Sequence, residues 1–203
     1  DLPSTVDDLL IDVSVQPIDG AGGILGQAGP TCLRAGTFLP VAGQMIFDAA
    51  DVANLLPDGT FATVVLHEMG HVLGFGTNWA ATNSATGLGG ADPRYTGGRG
   101  VAEWSALGGA GTVPLEDTEA PGTRDNHWRE SVFGAELMTG YLNDGVNPLS
   151  RLSVASLADL GYQVDVTQAD AYSPPSMLAG LRSAGRTGTP LELRIDRPHV
   201  GQL

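Results

Sequence analysis

Residues 61–73 form a strongly apolar segment that encloses three ionisable side chains, His67, Glu68 and His71. The apolar residues cover nearly every side of the helix that their spacing predicts: Phe61, Val64, Val65, Leu66, Met69, Val72 and Leu73. Such a helix should be buried, and burying even a neutral polar group without a partner costs roughly 2–7 kcal/mol. Any fold of this chain must therefore supply partners for the three polar side chains inside its core.

A metal ion is the partner that this spacing favours. His67 and His71 are four residues apart and project from the same face of a helix. Glu68 lies beside that face, where its carboxylate reaches a water on the metal more easily than the metal itself. Two imidazoles and a nearby carboxylate around an open coordination position are typical of zinc hydrolases. We therefore expect a zinc ion on the two histidines, with Glu68 activating the zinc-bound water.

Composition limits the partners of this chain. Its 203 residues include 10 Lys and Arg against 23 Asp and Glu, a formal net charge of −13. Nucleic acids and anionic membrane surfaces attract basic patches, so neither is expected as a partner. No sequence window approaches the roughly 18 apolar residues that a membrane span needs. The single cysteine, Cys32, excludes an intramolecular disulfide and is expected to be a small buried side chain.

The region before the histidine pair is predicted to be mostly extended. Apolar and polar residues alternate over 9–18, as in a strand. The glycine-rich stretch 19–30 is predicted to form turns, because it lacks the Gly-Lys-Ser/Thr ending of a phosphate loop. One or two further strands are expected within 37–48. The helix should begin after Thr60, a candidate N-cap, and end at Gly74 or shortly after.

Small residues dominate the region that follows the histidine pair. Gly, Ala, Thr and Ser are frequent over 77–126, and only 101–107 is a helix candidate. We expect this region to be a long irregular insertion on the surface, of the kind that is often functional. A further helix is predicted over about 150–160. The last residues, 176–203, contain one possible strand at 191–195.

A third ligand has few possible sources, because the chain has only four histidines. Catalytic zinc usually takes three protein ligands. The spacing of His67, His71 and Gly74 matches the start of the metzincin pattern, in which a third histidine follows the glycine by three residues. Thr77 occupies that place here. The local motif therefore does not itself supply the third ligand.

With this departure the sequence resembles the leishmanolysin family. These are metzincin proteases in which a long insertion separates the glycine from the third histidine. Three segments carry the resemblance: 122–128 (GTRDNHW), 133–140 (FGAELMTG) and the run from Asn147 to Tyr162. The likeness extends over roughly 9–172. Its motifs together are far more specific than the five-residue histidine motif alone.

The resemblance implies the ligand set and the chemistry. His67, His71 and His127 would bind zinc, and Glu68 would act as the general base and then the general acid. Met138 would be the Met-turn methionine, lying beneath the metal as a hydrophobic floor. The chain would then be a zinc-dependent metalloendopeptidase, a hydrolase that cleaves peptide bonds.

The resemblance also implies the architecture, an α+β metzincin-like catalytic domain. A small mixed sheet and the motif helix would lie above the cleft, and an irregular lower lobe with a C-terminal helix below it. The catalytic domain would span 1–175, divided into an upper lobe (1–76), a glycine-rich insertion (77–121) and a lower lobe (122–175). Residues 176–203 would form a C-terminal tail.

A protein or peptide substrate would lie extended in the cleft and pair with an edge strand through main-chain hydrogen bonds. The candidate for that strand is the run Gln44, Met45, Ile46 and Phe47. The family implies a secreted or cell-surface protein, and the lack of disulfides favours a bacterial-type, cysteine-poor member. We expect a monomer.

Three alternatives remain at this point. In a gluzincin-type hydrolase a glutamate would be the third ligand, with Glu103, Glu116 or Glu119 as the choices. In a zinc-stabilised binding or adhesion module the fold would persist without catalysis, although such a site has no use for Glu68. In a processed or partial form, activity would need a further segment before the first strand.

Overall fold

The computed structural model describes residues 8–118 and 123–175, with the backbone of two short strands at 189–190 and 199–200, and it is a mixed α+β structure. The elements of the first part are β1 (Leu10–Gln16), β2 (Gly26–Leu33), β3 (Pro40–Asp48), α1 (Ala49–Leu55) and α2 (Phe61–Val72). Those that follow are β4 (Ala85–Thr86), β5 (Arg94–Tyr95), α3 (Gly98–Ala106), β6 (Val113–Pro114), α4 (Glu130–Phe133), β7 (Tyr141–Leu142), α5 (Arg151–Asp159), a 3₁₀ turn (Val166–Gln168), β8 (Thr189–Pro190) and β9 (His199–Val200).

The largest sheet has the strand order β1-β3-β2-β9. Strand β1 runs parallel to β3, whereas β2 runs antiparallel to it. The first predicted strand is confirmed, and 37–48 contributes one continuous strand rather than two. The prediction of turns throughout 19–30 is wrong, because β2 begins at Gly26. The strand has little room for a side chain at Gly26, since a Cβ atom there would lie 2.7 Å from Oε1 of Glu68.

The expectation that residues 44–47 form a substrate-binding edge strand is wrong. Gln44, Met45, Ile46 and Phe47 lie in β3, which has β1 on one side and β2 on the other. The main chain of an interior strand already pairs with both neighbours, so it cannot bind an extended peptide as well. Met45 and Phe47 are instead buried in the core between the sheet and α2.

Helix α2 carries the histidine pair and packs on β2 and β3. Thr60 is at the N-cap position as predicted, but its hydroxyl donates to Asp58 and caps no helix N–H. After Val72 the chain turns at Gly74, which has a φ of 104° that favours glycine. Burial is less complete than the sequence predicts, since Leu66 and Met69 are 45% and 38% exposed.

The segment predicted to be a surface insertion contributes to the core instead. It contains α3, close to the predicted helix, and a three-stranded sheet of β4, β5 and β6. Five of its large side chains are buried: Trp79, Tyr95, Trp104, Val113 and Leu115. They pack with Phe75 and with residues of 122–175 that include Trp128, Phe133, Met138 and Leu152. The frequent small residues obscured these widely spaced anchors in the sequence.

The C-terminal helix agrees with its prediction. Ser150 is the N-cap of α5 and accepts a hydrogen bond from the Ser153 amide, and Gly161 follows the helix with a φ of 111°. Cys32 is a free, buried thiol as expected. The possible strand at 191–195 lies outside the described residues. Among the helices that the structure describes, none combines the length and the apolar character needed to cross a membrane.

Candidate metal centre

Three buried histidines from two parts of the chain meet at one point. His67 and His71 come from successive turns of α2, and His127 comes from an irregular segment of the lower lobe. Their Nε2 atoms are 2.9 Å (His67–His71), 3.0 Å (His71–His127) and 3.2 Å (His67–His127) apart. Among the described residues they form the one group of three or more possible ligands within metal-binding distance of one another.

The opposite nitrogen of each ring is held by a backbone carbonyl. Nδ1 of His67 donates to the Leu137 oxygen at 2.7 Å, and Nδ1 of His127 donates to the Thr123 oxygen at 2.7 Å. His71 donates from Nδ1 to the oxygen of Phe75 at 3.0 Å. A carbonyl can only accept, so these bonds place the ring proton on Nδ1 and leave a lone pair on every Nε2. Metal-bound histidines usually have this kind of support.

The donor set fits a tetrahedral metal ion. Zn–N bonds of about 2.0–2.1 Å at tetrahedral angles place neighbouring nitrogens about 3.3 Å apart. The observed separations of 2.9–3.2 Å are close to that value. Without a cation between them, three lone pairs facing one another inside the protein would repel. The site is therefore suited to a divalent ion that prefers nitrogen ligands.

Burial keeps the three imidazoles neutral, which is the form that binds a metal. Desolvation lowers the pKa of His67 to about 3 and that of His127 to about 4. It also holds the pKa of His71 well below its ordinary value, helped by the two neighbouring histidines. Near neutral pH no proton competes with a metal for these nitrogens.

Glu68 lies next to the cluster and is also buried, as its place on α2 predicts. Its Oε2 atom has no hydrogen-bond partner among the residues that the structure describes. Desolvation raises the pKa of this carboxyl well above its usual range. A buried carboxylate oxygen without a partner is costly, so its presence beside three metal-binding nitrogens favours a chemical role over a structural one.

Short backbone contacts hold the segment that carries His127. The Glu116 amide donates to the His127 carbonyl at 3.0 Å, and the Asp125 amide donates to the Glu116 carbonyl at 3.0 Å. On the other side, the Trp128 amide donates to the Met138 carbonyl at 3.0 Å. The third histidine therefore lies between the strand-like segment at 115–116 and the turn at 136–139.

Met138 packs directly against the motif helix. A Cβ atom on Gly70 would lie 2.7 Å from the Cε atom of Met138 and 2.9 Å from its Sδ atom. Gly70 lies between the two helical histidines, so the thioether is adjacent to the turn that carries them. The role of Met138 as a Met-turn residue beneath a metal stays a prediction.

The glutamates considered as third ligands are engaged elsewhere where the structure describes them. Glu103 forms an ion pair with Arg151 at 2.9 Å. The carboxylate of Glu116 accepts hydrogen bonds from the amides of Thr118 and Glu130, both at 3.0 Å. Glu119 and the side chain of His199 lie outside the described residues. Neither Glu103 nor Glu116 belongs to the histidine cluster.

Sequence reasoning missed two kinds of residue around this centre. One is Gly26, whose lack of a side chain makes room for Glu68. The other is Glu136, a fully buried carboxylate in the turn before Met138. Glu136 lies in the 133–140 segment that carries the resemblance. Nothing in the sequence around it indicates whether its side chain is buried or exposed.

Comparisons with known proteins add no information on the function of this chain. No model of a known protein family matches the chain, and no curated protein matches it. The finding that bears on function is thus the cluster of three buried histidines within metal-binding distance, with a buried glutamate beside it.

Proposed function

We propose that this chain is a zinc-dependent endopeptidase with a metzincin-like catalytic domain of the leishmanolysin type. One observation carries the proposal: three buried histidine nitrogens converge, and each ring is oriented by a carbonyl on its far side. The unpartnered Oε2 atom of Glu68 supports the same conclusion. So does the resemblance of 122–140 to the family's third-ligand and Met-turn region.

Zinc is the metal that this ligand set favours. Imidazole suits several transition metals, and three neutral nitrogen ligands with a fourth position left for water are typical of catalytic zinc. When bound there, zinc would lower the pKa of a coordinated water and polarise the carbonyl of the scissile peptide. His67, His71 and His127 would hold the ion, and no glutamate is needed for that purpose.

Glu68 is the general base and then the general acid in this proposal. Its carboxylate takes a proton from the attacking water and later donates it to the departing amine. Removal from solvent raises the pKa of this carboxyl, which makes it a stronger base than an exposed glutamate. The free Oε2 atom leaves one lone-pair acceptor available for that proton.

The substrate-pairing edge is assigned to β2 in place of β3. On the side of β2 away from β3, the described backbone pairs only at Cys32 and Leu33, with β9. The part of β2 that begins at Gly26 lies against Glu68. An extended peptide that added to this edge would present its main chain next to the proposed base.

Cleavage of an unfolded protein by the wild type and by Glu68→Gln, with zinc measured in both samples, tests the proposal. Glu103→Gln is the control, because Glu103 pairs with Arg151 and belongs to no part of the histidine cluster. We expect about one zinc per chain in all three proteins, with turnover removed only in Glu68→Gln. Equal cleavage by Glu68→Gln would refute the role of Glu68. Zinc in every sample without any cleavage would favour a zinc-stabilised binding module.

A further inference from the structure

We propose that the buried carboxylate of Glu136 positions the metal-binding nitrogen of His67 through a single peptide group, without touching the metal. The inference rests on the metal centre of the proposed function, but not on peptide cleavage. It assigns a role to a side chain that the mechanism does not use. Glu136 is fully buried in the lower lobe, in the turn that ends at Met138.

Four donors converge on the Glu136 carboxylate. Its Oε2 atom accepts a hydrogen bond from the Met138 amide at 2.6 Å. Its Oε1 atom accepts from the amide and the hydroxyl of Ser150 at 3.0 and 2.6 Å, and from the Ser153 hydroxyl. A carboxylate that receives so many donors is fixed in direction, so Glu136 is a rigid support rather than a mobile side chain.

The link to the metal centre is the peptide group between Leu137 and Met138. Its N–H donates to Glu136, and its C=O accepts the hydrogen bond from Nδ1 of His67 at 2.7 Å. A peptide group is planar, so fixing the direction of its N–H also fixes the direction of its C=O. The Glu136 carboxylate therefore sets the ring orientation and the tautomer of His67 through two hydrogen bonds and the peptide group between them.

A second branch of the same network reaches the neighbour of the third histidine. The Ser153 hydroxyl that donates to Glu136 also accepts a hydrogen bond from Nε1 of Trp128 at 2.8 Å. Trp128 directly follows His127. Glu136 thus connects the supports of a ligand on α2 and a ligand in the lower lobe, and α5 supplies the serines between them.

Glu136→Gln is a sharp test because an amide cannot satisfy this site. Both carboxylate oxygens face a backbone N–H, one from Met138 and one from Ser150. In either orientation the amide NH₂ of glutamine therefore meets a backbone donor. The expected result is about 10- to 100-fold weaker zinc binding, the usual effect of losing support behind a ligand. The absorption spectrum of the Co²⁺-substituted protein should change as well.

Asp159→Asn is the matched control for a general loss of stability. Asp159 is the last residue of α5, the helix that contains Ser153. Its two oxygens likewise face backbone donors, the amides of Arg99 and Gly100 at 2.9 Å. Its remaining partner, the hydroxyl of Tyr95, belongs to no part of the histidine cluster. We expect Asp159→Asn to lower the melting temperature but to keep the zinc affinity and the Co²⁺ spectrum of the wild type.

Two measurements, the zinc affinity and the Co²⁺ spectrum, can contradict the positioning role of Glu136. Wild-type zinc affinity and an unchanged Co²⁺ spectrum in folded Glu136→Gln would overturn the positioning role. If that variant does not fold, Ser153→Ala decides by the same two measurements, because it keeps the carboxylate and removes one of its four donors, together with the acceptor of the Trp128 indole N–H. Weaker binding with a changed spectrum in Ser153→Ala would support the proposal, and wild-type values would overturn it. Peptide cleavage is not measured, so a zinc-binding protein without activity would contradict only the proposed function.

Discussion

The two proposed lobes, 1–76 and 122–175, place their candidate metal ligands by different means. In the upper lobe, a regular sheet supports one long helix, and the helical repeat alone brings His67 and His71 to the same face. In 122–175, His127 lies in a segment without helix or strand. The Glu116 amide donates to the His127 carbonyl, and the amide of the adjacent Trp128 donates to the Met138 carbonyl. Regular structure positions two ligands, and a buried network positions the third.

The lobes also differ in what fills their cores. The upper core consists mainly of aliphatic side chains with Phe47, between the sheet and α2. The lower core is rich in aromatic rings, and Trp79 and Trp128 stack at a centroid distance of 5.3 Å. Large rigid rings compensate for the scarcity of regular structure, because each buries much apolar area in a defined orientation. We expect the metal centre to be more sensitive to changes in the lower lobe.

The largest effect is expected from His127→Ala, which removes the only ligand of the lower lobe. Zinc sites contribute about 10–16 kcal/mol, so losing one of three ligands should weaken binding by roughly 10³-fold or more. Competition with a chelator measures this change. His199→Ala is the control, because His199 is the one histidine of the sequence that is not assigned as a ligand. Equal zinc affinity in the two variants would contradict the ligand assignment.

Truncating one aromatic ring in each core compares the lobes directly. Trp128→Ala and Phe47→Ala should each lower the free energy of unfolding by about 3–5 kcal/mol, because both side chains are fully buried. Only Trp128→Ala should also weaken metal binding in the folded protein, since it adjoins His127. Urea denaturation and Co²⁺ titration of both variants separate these effects. Similar losses of metal affinity would show that the lobes do not differ.

Acid should destabilise the metal-free protein through its buried histidines. The pKa of His127 is lowered from 6.5 to about 4, so between these values the unfolded chain binds more protons than the folded one. The free energy of unfolding therefore falls as the pH falls through this window, by about 3 kcal/mol for His127 alone. His127→Gln removes this contribution, so the free energy of unfolding of that variant should fall less over the same pH window. Melting curves with the same pH dependence for the two proteins would count against the neutral buried histidine.

The smallest effect is expected in the upper lobe, from Gly26→Ala. The added Cβ would lie 2.7 Å from Oε1 of Glu68, so the carboxylate must move while the histidines remain in place. Catalytic rate should fall by up to about 10²-fold, as for other small displacements of a reacting group, with zinc content unchanged. Gly29→Ala on the same strand is the control, because its Cβ would meet Thr77 at an ordinary 3.7 Å. Equal rates for both variants would argue that Glu68 does not act from this position.

The histidine motif was predictable from the sequence because its information is local. The spacing of His67 and His71, the helix around them and the helix after Ser150 depend on periodicity and on end signals within a few residues. The structure confirms these elements and brings His127 to the same point. The choice of His127 came from the resemblance and not from any local pattern.

The errors concern long-range packing. Residues 44–47 have the composition of a strand, but nothing local indicates that β1 and β2 lie on both sides of them. Small residues in 77–121 suggested a surface loop, whereas three aromatic rings from this region are buried in the lower core. The burial of Glu136 depends on serines that are 14 and 17 residues away. Such features depend on which segments meet, and the sequence pattern does not contain that information.

The most direct test of the shared metal centre is anomalous diffraction at the zinc edge from crystals of the zinc-loaded protein. We predict one strong peak, about 2.0–2.1 Å from the Nε2 atoms of His67, His71 and His127. Each of the three Nδ1 atoms should remain within hydrogen-bond distance of its carbonyl. A peak bound by only the two helical histidines, or by a glutamate in place of His127, would contradict the claim that the two lobes build one site.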